Sequence, residues 1–236
     1  MKRTQFNLKR NSSGFTLIEI AIVLVIIGLL LGGVLKGQEL INSAKVKNLA
    51  LDFKNIPVLI YGYQDKYKSL PGDDPTPASH VGAAATSAAA NNRGNGTING
   101  AWDSIIGSDE SVLFWQHVRM AGLTTGPTTV SVTSLLDPYF PQNAIGGRLG
   151  VQGNLGTAVA PKPIERIPGT YVICSADIPG KFARQLDTTL DDGVTNEGYV
   201  RVTAVAAGTA PVPTGQAVQL LTPADDDKLF VVCMGV

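Results

Sequence analysis

Reactive side chains are scarce in this 236-residue chain, which has two cysteines, two histidines and only 16% charged residues. H-E-x-x-H, C-x-x-C, G-x-S-x-G and P-loop patterns are all missing, and His80 and His117 are the only imidazoles. Zinc-hydrolase, dithiol, serine-hydrolase and nucleotide-hydrolysing chemistry therefore lack their usual carriers, and the expectation is a protein that is not an enzyme. Charge of one sign is also lacking, since 19 Lys+Arg face 19 Asp+Glu. That balance excludes a uniformly basic nucleic-acid binder and an acidic tail. Aromatics make up 6% but hydrophobic residues 44%, which excludes global disorder. Gly 26 and Pro 14 describe a loop-rich globular chain.

The zero net charge hides a strong sectoring. Lys2, Arg3, Lys9 and Arg10 precede residue 15 with no acid among them, residues 15–35 contain Glu19 as their only ionisable group, residues 36–68 are net basic, and residues 69–236 are net acidic. At about 1.5 Å of rise per residue, a helix over 15–35 spans roughly the 30 Å hydrocarbon core of a bilayer. The basic leader places the N-terminus in the cytoplasm and the bulk of the chain outside, a single-pass topology. A cleaved secretory signal shares the basic-then-apolar pattern. It would, however, need small residues after the apolar run, where Lys36-Gly37-Gln38-Glu39 stand instead. A plain membrane anchor leaves Glu19 unexplained, because a carboxylate within an apolar span is costly and marks function.

Gly14-Phe15-Thr16-Leu17-Ile18-Glu19, after a short basic leader and at the start of a long apolar helix, resembles the processing site of the type IV pilin and type II secretion pseudopilin superfamily. The resemblance implies cleavage after Gly14 by a prepilin peptidase, N-methylation of the new terminus Phe15, and a role for Glu19 in assembly. It also implies that the chain partners copies of itself or related subunits in a filament, inner-membrane assembly machinery, and membrane lipid before assembly. General nucleic-acid binding is not expected of the acidic 69–236 segment. The physical reading agrees: cleavage creates an α-amine one helical turn from Glu19, and in a filament core Glu19 of one subunit can pair with the Phe15 amine of the next.

Beyond the bilayer the helix is expected to continue. Val46, Leu49, Phe53, Ile56, Ile60, Tyr63 and Tyr67 recur at three- and four-residue intervals. Pro57 should kink or break it. Gly28, Gly32 and Gly33 either loosen the membrane half or permit close helix packing. A loop region opens at Ser69-Leu70-Pro71-Gly72-Asp73-Asp74-Pro75 and passes through the alanine-rich 83–90 tract into Asn91-Asn92-Arg93-Gly94-Asn95-Gly96. Ser108 reads as the N-cap of a helix that carries Phe114, Trp115, Val118 and Met120 and stops at Gly122. Leu70 to Pro75, with Glu110, Trp115 and Ala121-Gly122-Leu123, is similar to heads of pilin-like proteins. Residues 171–174, 199–205, 218–221 and 229–234 read as antiparallel strands, with a short helix near 181–186. The fold expected is α+β: leader 1–14, transmembrane and assembly helix 15–35, amphipathic stem 36–68, and an extracytoplasmic antiparallel-sheet head 69–236.

Cys174 and Cys233 both fall in that head, where oxidising conditions favour a disulfide. Two separate buried thiols are the alternative, since both sit in predicted strands. Such a pairing also resembles the disulfide-bounded C-terminal region of many pilins. Asp187, Asp191 and Asp192, followed by Asn196 and Glu197, gather oxygen donors suited to calcium. The same residues also suit turn chemistry, with an Asp capping the short helix and Asp192-Gly193 turning the chain. Residues 91–103 look superficially like an EF-hand loop, but Arg93 and Trp102 occupy ligand positions. The expected function is that of a structural subunit of a type IV pilus-like filament. A secretion pseudopilin, a minor pilin for adhesion or DNA uptake, and a membrane-anchored periplasmic binding protein are the alternatives.

Overall fold

Residues 16–134, 137–156, 162–204 and 215–236 are described by the computed structural model, which divides into two units, 1–43 and 44–236. One continuous helix, α1 (Leu17–Tyr67), takes up both the apolar run and the stem. It is followed by α2 (Pro77–Val81), α3 (Glu110–Met120), β1 (Leu149–Gly153), β2 (Tyr171–Pro179), α4 (Gly180–Leu190), β3 (Val200–Ala204) and β4 (Leu229–Gly235). The class is α+β, as expected.

In the first unit, the described apolar side chains of α1 stand exposed, from Leu17 at 88% through Leu29 at 73% to Leu35 at 67%. The helix is long and apolar enough to cross a membrane. Within the second unit the stem buries the predicted stripe: Val46, Leu49, Phe53, Ile56, Ile60 and Tyr63 are all in the core, with Tyr67 packed at its margin. Of the expected kink or break at Pro57, the break does not occur, and the helix runs on through it. Proline removes one backbone hydrogen bond, but its neighbours Phe53, Ile56 and Ile60 are held at 0–2% exposure by the core, and packing outweighs that loss. The helix ends where the loop was predicted to begin, with Lys68 in the left-handed region at φ 55°.

The four-stranded antiparallel sheet has the order β1-β2-β4-β3. One face, including Ile173, Val202 and Val232, packs on the α1 stripe and on Phe114, Trp115 and Val118 of α3. The other carries Val172, Cys174, Val231 and Cys233 against Trp102, Ile164 and Ile167. Cys174 and Cys233 are direct cross-strand partners and form a disulfide across 59 residues of sequence, on the smaller of the two apolar clusters. In the chain-entropy account a loop of that length gains about 4 kcal/mol from the cross-link.

Three local expectations change. Residues 218–221 form no strand; Gln219 makes one backbone bond to Val202, while Thr203 and Thr195 hydroxyls bond the carbonyls of Ala217 and Gln219. Side chains here do what a ladder would otherwise do. The N-cap of α3 is Asp109, not Ser108, and its carboxylate accepts a bond from the Ser104 hydroxyl at 2.5 Å. The C-terminus of α3 does lie at Gly122, whose φ of 74° allows Leu123 N–H to reach the Val118 carbonyl. The helix predicted near 181–186 is the longer α4, and strand β1, in the glycine-rich LGVQG segment, is an addition.

Glu110 opens α3 at 1% exposure, and its Oε2 accepts the Asn99 N–H at 2.8 Å. Burial, reinforced by the charges of Asp73 and Asp109, pushes its carboxyl up to about 8. Below pH 4.5 both folded and unfolded chains hold this proton. Between pH 4.5 and 8 only the folded chain holds it, so stability falls with rising pH by up to about 1.4 kcal/mol per unit. His117, whose imidazole is pulled down by burial, acts in the opposite sense and loses stability as pH falls through its ordinary range. Glu110→Gln keeps the acceptor and removes the titration. Its stability relative to wild type should rise steadily from pH 5 to pH 8, read from urea midpoints, and a constant difference would contradict this assignment.

Candidate functional site

The N-terminal site is built on the first turn of α1. Gly14 and Phe15 lie outside the described residues; Thr16 and Glu19 are within them. Both the backbone N–H and the hydroxyl of Thr16 donate to Glu19 Oε2, at 2.8 and 2.7 Å, and the Glu19 N–H donates back to Thr16 Oγ1 at 3.3 Å. This is a capping box, in which the residue before the helix and the residue three places on satisfy each other's amides. The Thr16-x-x-Glu19 spacing is itself a capping-box signature in the sequence, a second role for Glu19 beside the expected one in assembly. The Glu19 carboxylate is exposed in the single chain.

In the second unit the Leu70 to Pro75 segment ties the end of the stem to the head. Asp73 binds the loop that follows the alanine tract: the amides of Asn95 and Gly96 donate to its two carboxylate oxygens at 3.0 and 2.7 Å, and the Gly94 amide to its carbonyl at 2.8 Å. The loop that superficially resembled an EF-hand therefore turns its amides on a carboxylate, the opposite polarity to a cation cradle. Asp74 accepts from the Tyr63 hydroxyl at 2.7 Å, contacts His80 Nδ1 at 2.6 Å, and takes the Thr76 amide. Gly72 donates its amide to His117 Nδ1 at 2.9 Å; a Cβ on Gly72 would lie 2.4 Å from the Glu110 carbonyl oxygen, so the segment closes only with glycine there. His117 Nε2 then carries the proton and donates to the Thr86 carbonyl. This buried histidine ties the 70–75 segment to the alanine-rich tract. A cleft of about 380 Å³ beside this segment is lined by Gln64, Lys68, Asp73 and Tyr171, and the Asp73 carboxylate in it is already taken by the loop amides.

Arg148, which sequence reading did not single out, is buried at 3% and donates to the carbonyls of Trp102, Asp103 and Ser104 while its guanidinium lies 3.4 Å from the Phe140 ring centre. It gathers the loop that covers the disulfide face. Its role depends on three carbonyls more than forty positions away, which no local pattern announces.

The acidic cluster comes together as the spacing suggested. One carboxylate oxygen from each of Asp187, Asp191 and Asp192 lies within 4.8 Å of the others. The turn reading also holds in part: Asp191 is the C-cap residue of α4, its carboxylate accepts the amides of Tyr199 and Val200, and Asp192 accepts the Val194 amide at 2.9 Å across Gly193, φ 86°.

No curated protein matches the chain. Residues 9–35 match the family model of the prokaryotic N-terminal methylation motif, which spans the basic leader's end, the Gly14-Phe15 junction and Glu19. That motif implies processing by a prepilin peptidase and assembly into pilus-like filaments, and the apolar N-terminal half of α1 fits the membrane anchor of an inner-membrane precursor. The motif at the start of the long N-terminal helix supports the reading of a type IV pilin-like or pseudopilin protein.

Proposed function

We propose that the chain is a structural subunit of a type IV pilus-like filament, with an architectural role and no catalytic one. It is inserted as an inner-membrane precursor with residues 1–14 in the cytoplasm, cut after Gly14, methylated on Phe15, and polymerised through α1 by inner-membrane assembly machinery. The head lies outside the cytoplasm and, after assembly, on a periplasmic or surface fibre. What carries this reading is the placement of the methylation motif directly on a helix whose side chains from Leu17 to Leu35 are exposed and almost wholly apolar. Such a surface must be covered, by lipid before assembly and by other copies after it. Gly28, Gly32 and Gly33 support the same reading: a Cβ added at any of them meets nothing within 4 Å, so nothing in the single chain calls for glycine there. Between copies, small residues permit close helix approach.

The experiment is to shear cells that carry an epitope-tagged chain and to image fibres in a deletion strain. The processed chain should appear in the sheared fraction, and its fibres should be missing from the deletion strain. Retention of all processed chain in the membrane, with fibres intact in the deletion strain and export of folded substrates lost, would replace this reading with that of a secretion pseudopilin.

A further inference from the structure

Asn95-Gly96 and Asn99-Gly100 stand close together in the head, and the fold treats the two pairs differently. An asparagine followed by glycine is open to attack on its side-chain amide by the next backbone nitrogen, because glycine has no Cβ to obstruct the approach. The attack is slow in an ordinary chain. The nitrogen must give up its proton, negative charge must develop on the amide oxygen, and water must reach the product.

At Asn95-Gly96 the loop meets these needs with bonds already in place. The Gly96 N–H, whose proton has to leave, donates to Asp73 Oδ2 at 2.7 Å, within the reach required of a general base. The Asn95 N–H donates to Asp73 Oδ1 at 3.0 Å and holds the carboxylate against the loop. Asp73 is 3% exposed, and burial, with the charge of Asp74 beside it, raises its carboxyl above the ordinary range although the loop amides pull it down. It is therefore a stronger base than a carboxylate in water. On the opposite side the Thr97 N–H donates to Asn95 Oδ1 at 2.9 Å, where the charge of the attacked amide would form. Asn95 and Gly96 are both exposed to water. The neighbouring pair lacks this arrangement: Asn99 is 2% exposed, its Oδ1 has no donor, and its N–H is engaged by Glu110.

We propose that the head carries a self-modifying site, in which Asp73 and the Thr97 amide convert Asn95 to aspartate and isoaspartate through a cyclic imide formed with Gly96. The Gly96 nitrogen bonds to Asn95 Cγ as its proton passes to Asp73, and the Thr97 N–H holds the negative oxygen that results. Asp73 then returns the proton to Nδ2, the Cγ–Nδ2 bond breaks, and ammonia leaves. Water opens the imide at either carbonyl, which gives aspartate or, with the backbone rerouted through the side chain, isoaspartate. Both products set a second carboxylate beside the buried Asp73, and isoaspartate also lengthens the backbone between the two amides that Asp73 holds. The clasp between the 70–75 segment and the 94–96 loop is thereby loosened as the protein ages. The site belongs to the head alone and stands whether or not the chain forms a filament.

The test incubates the full chain, purified in detergent, in water enriched in heavy oxygen, folded and in urea, and follows the tryptic peptide 94–119 by mass spectrometry with fragmentation. In the folded chain Asn95 should convert roughly tenfold or more faster than in urea, with one heavy oxygen incorporated, while Asn99 should convert only in urea. Asp73→Asn, which keeps an acceptor for the loop amides and removes the base, should bring the folded rate at Asn95 down to the urea rate or below. Should that variant not fold, the comparison of folded and unfolded wild type decides by itself. Conversion of Asn95 no faster in the folded chain than in urea would overturn the site, and a wild-type rate in folded Asp73→Asn would overturn it as well. Asn95→Asp, which installs the unbranched product, should melt about 2–4 °C below wild type. An unchanged melting temperature would overturn the loosening of the clasp.

Discussion

Glu19→Ala is expected to leave the chain inserted and processed but to abolish filaments. The apolar run from residue 15 to 35 spans a bilayer without help from Glu19, and the scissile bond lies four residues upstream of it. In a filament core, by contrast, the new amine of Phe15 would be buried without a counter-charge, and removing one member of a buried pair typically costs about 3–5 kcal/mol. That loss recurs at every subunit contact, so growth should fail altogether. The structure adds a competing role, because Glu19 also completes the capping box with Thr16, and a lost cap costs about 1 kcal/mol. Glu19→Gln separates the two roles: glutamine serves equally well in a capping box but carries no charge. The glutamine variant should cap the helix, accumulate as mature membrane protein, and still give no sheared fibre. Wild-type fibre from Glu19→Gln would assign the residue to helix capping and dismiss charge pairing.

Gly14→Val carries the other large effect. A prepilin peptidase needs a small residue at the scissile bond, and the proposed function puts that bond between Gly14 and Phe15, within the matched motif. The variant should accumulate as full-length precursor in the inner membrane, with residues 1–14 retained, no methylated amine, and no partner for Glu19. Gel mobility of membrane fractions separates precursor from mature chain, and normal processing of Gly14→Val would contradict the cleavage assignment.

The parts of this architecture that were legible in the sequence are those dictated by short-range periodicity or by a contiguous motif. The stem stripe from Val46 to Tyr63 follows a helical spacing that permits a single buried face, and six of its predicted residues are in the core. The helix stop near Lys68, the turn at Gly122 and the strands β2 and β4 follow from turn chemistry and β-branched runs in the same way. What escaped depends on distant partners. Leu149–Gly153 became a strand because β2 offered it a ladder, although two glycines in five residues argue locally against one. Residues 218–221 had the composition of a strand, yet the threonine hydroxyls at 195 and 203 took up their carbonyl neighbours. Pro57 was tolerated because the core fixes the helix on both sides of it. The clasp of Asp73 on the amides of 95 and 96, and of Arg148 on the carbonyls of 102 to 104, joins segments whose adjacency only the finished fold creates. At the N-terminal site the contiguous motif carries the reading of Gly14, Phe15 and Glu19, while the T-x-x-E spacing of Thr16 and Glu19, a local capping signal, is realised in the bonds between them.

In the proposed function, cleavage of the Gly14-Phe15 bond converts the chain from precursor to assembly-competent subunit. Mass spectrometry of the N-terminal peptide from membrane-extracted protein tests this conversion. The expected peptide begins at Phe15 and carries one added methyl group on its α-amine. A peptide that begins at Met1, or one generated by cleavage after residue 35, would contradict it.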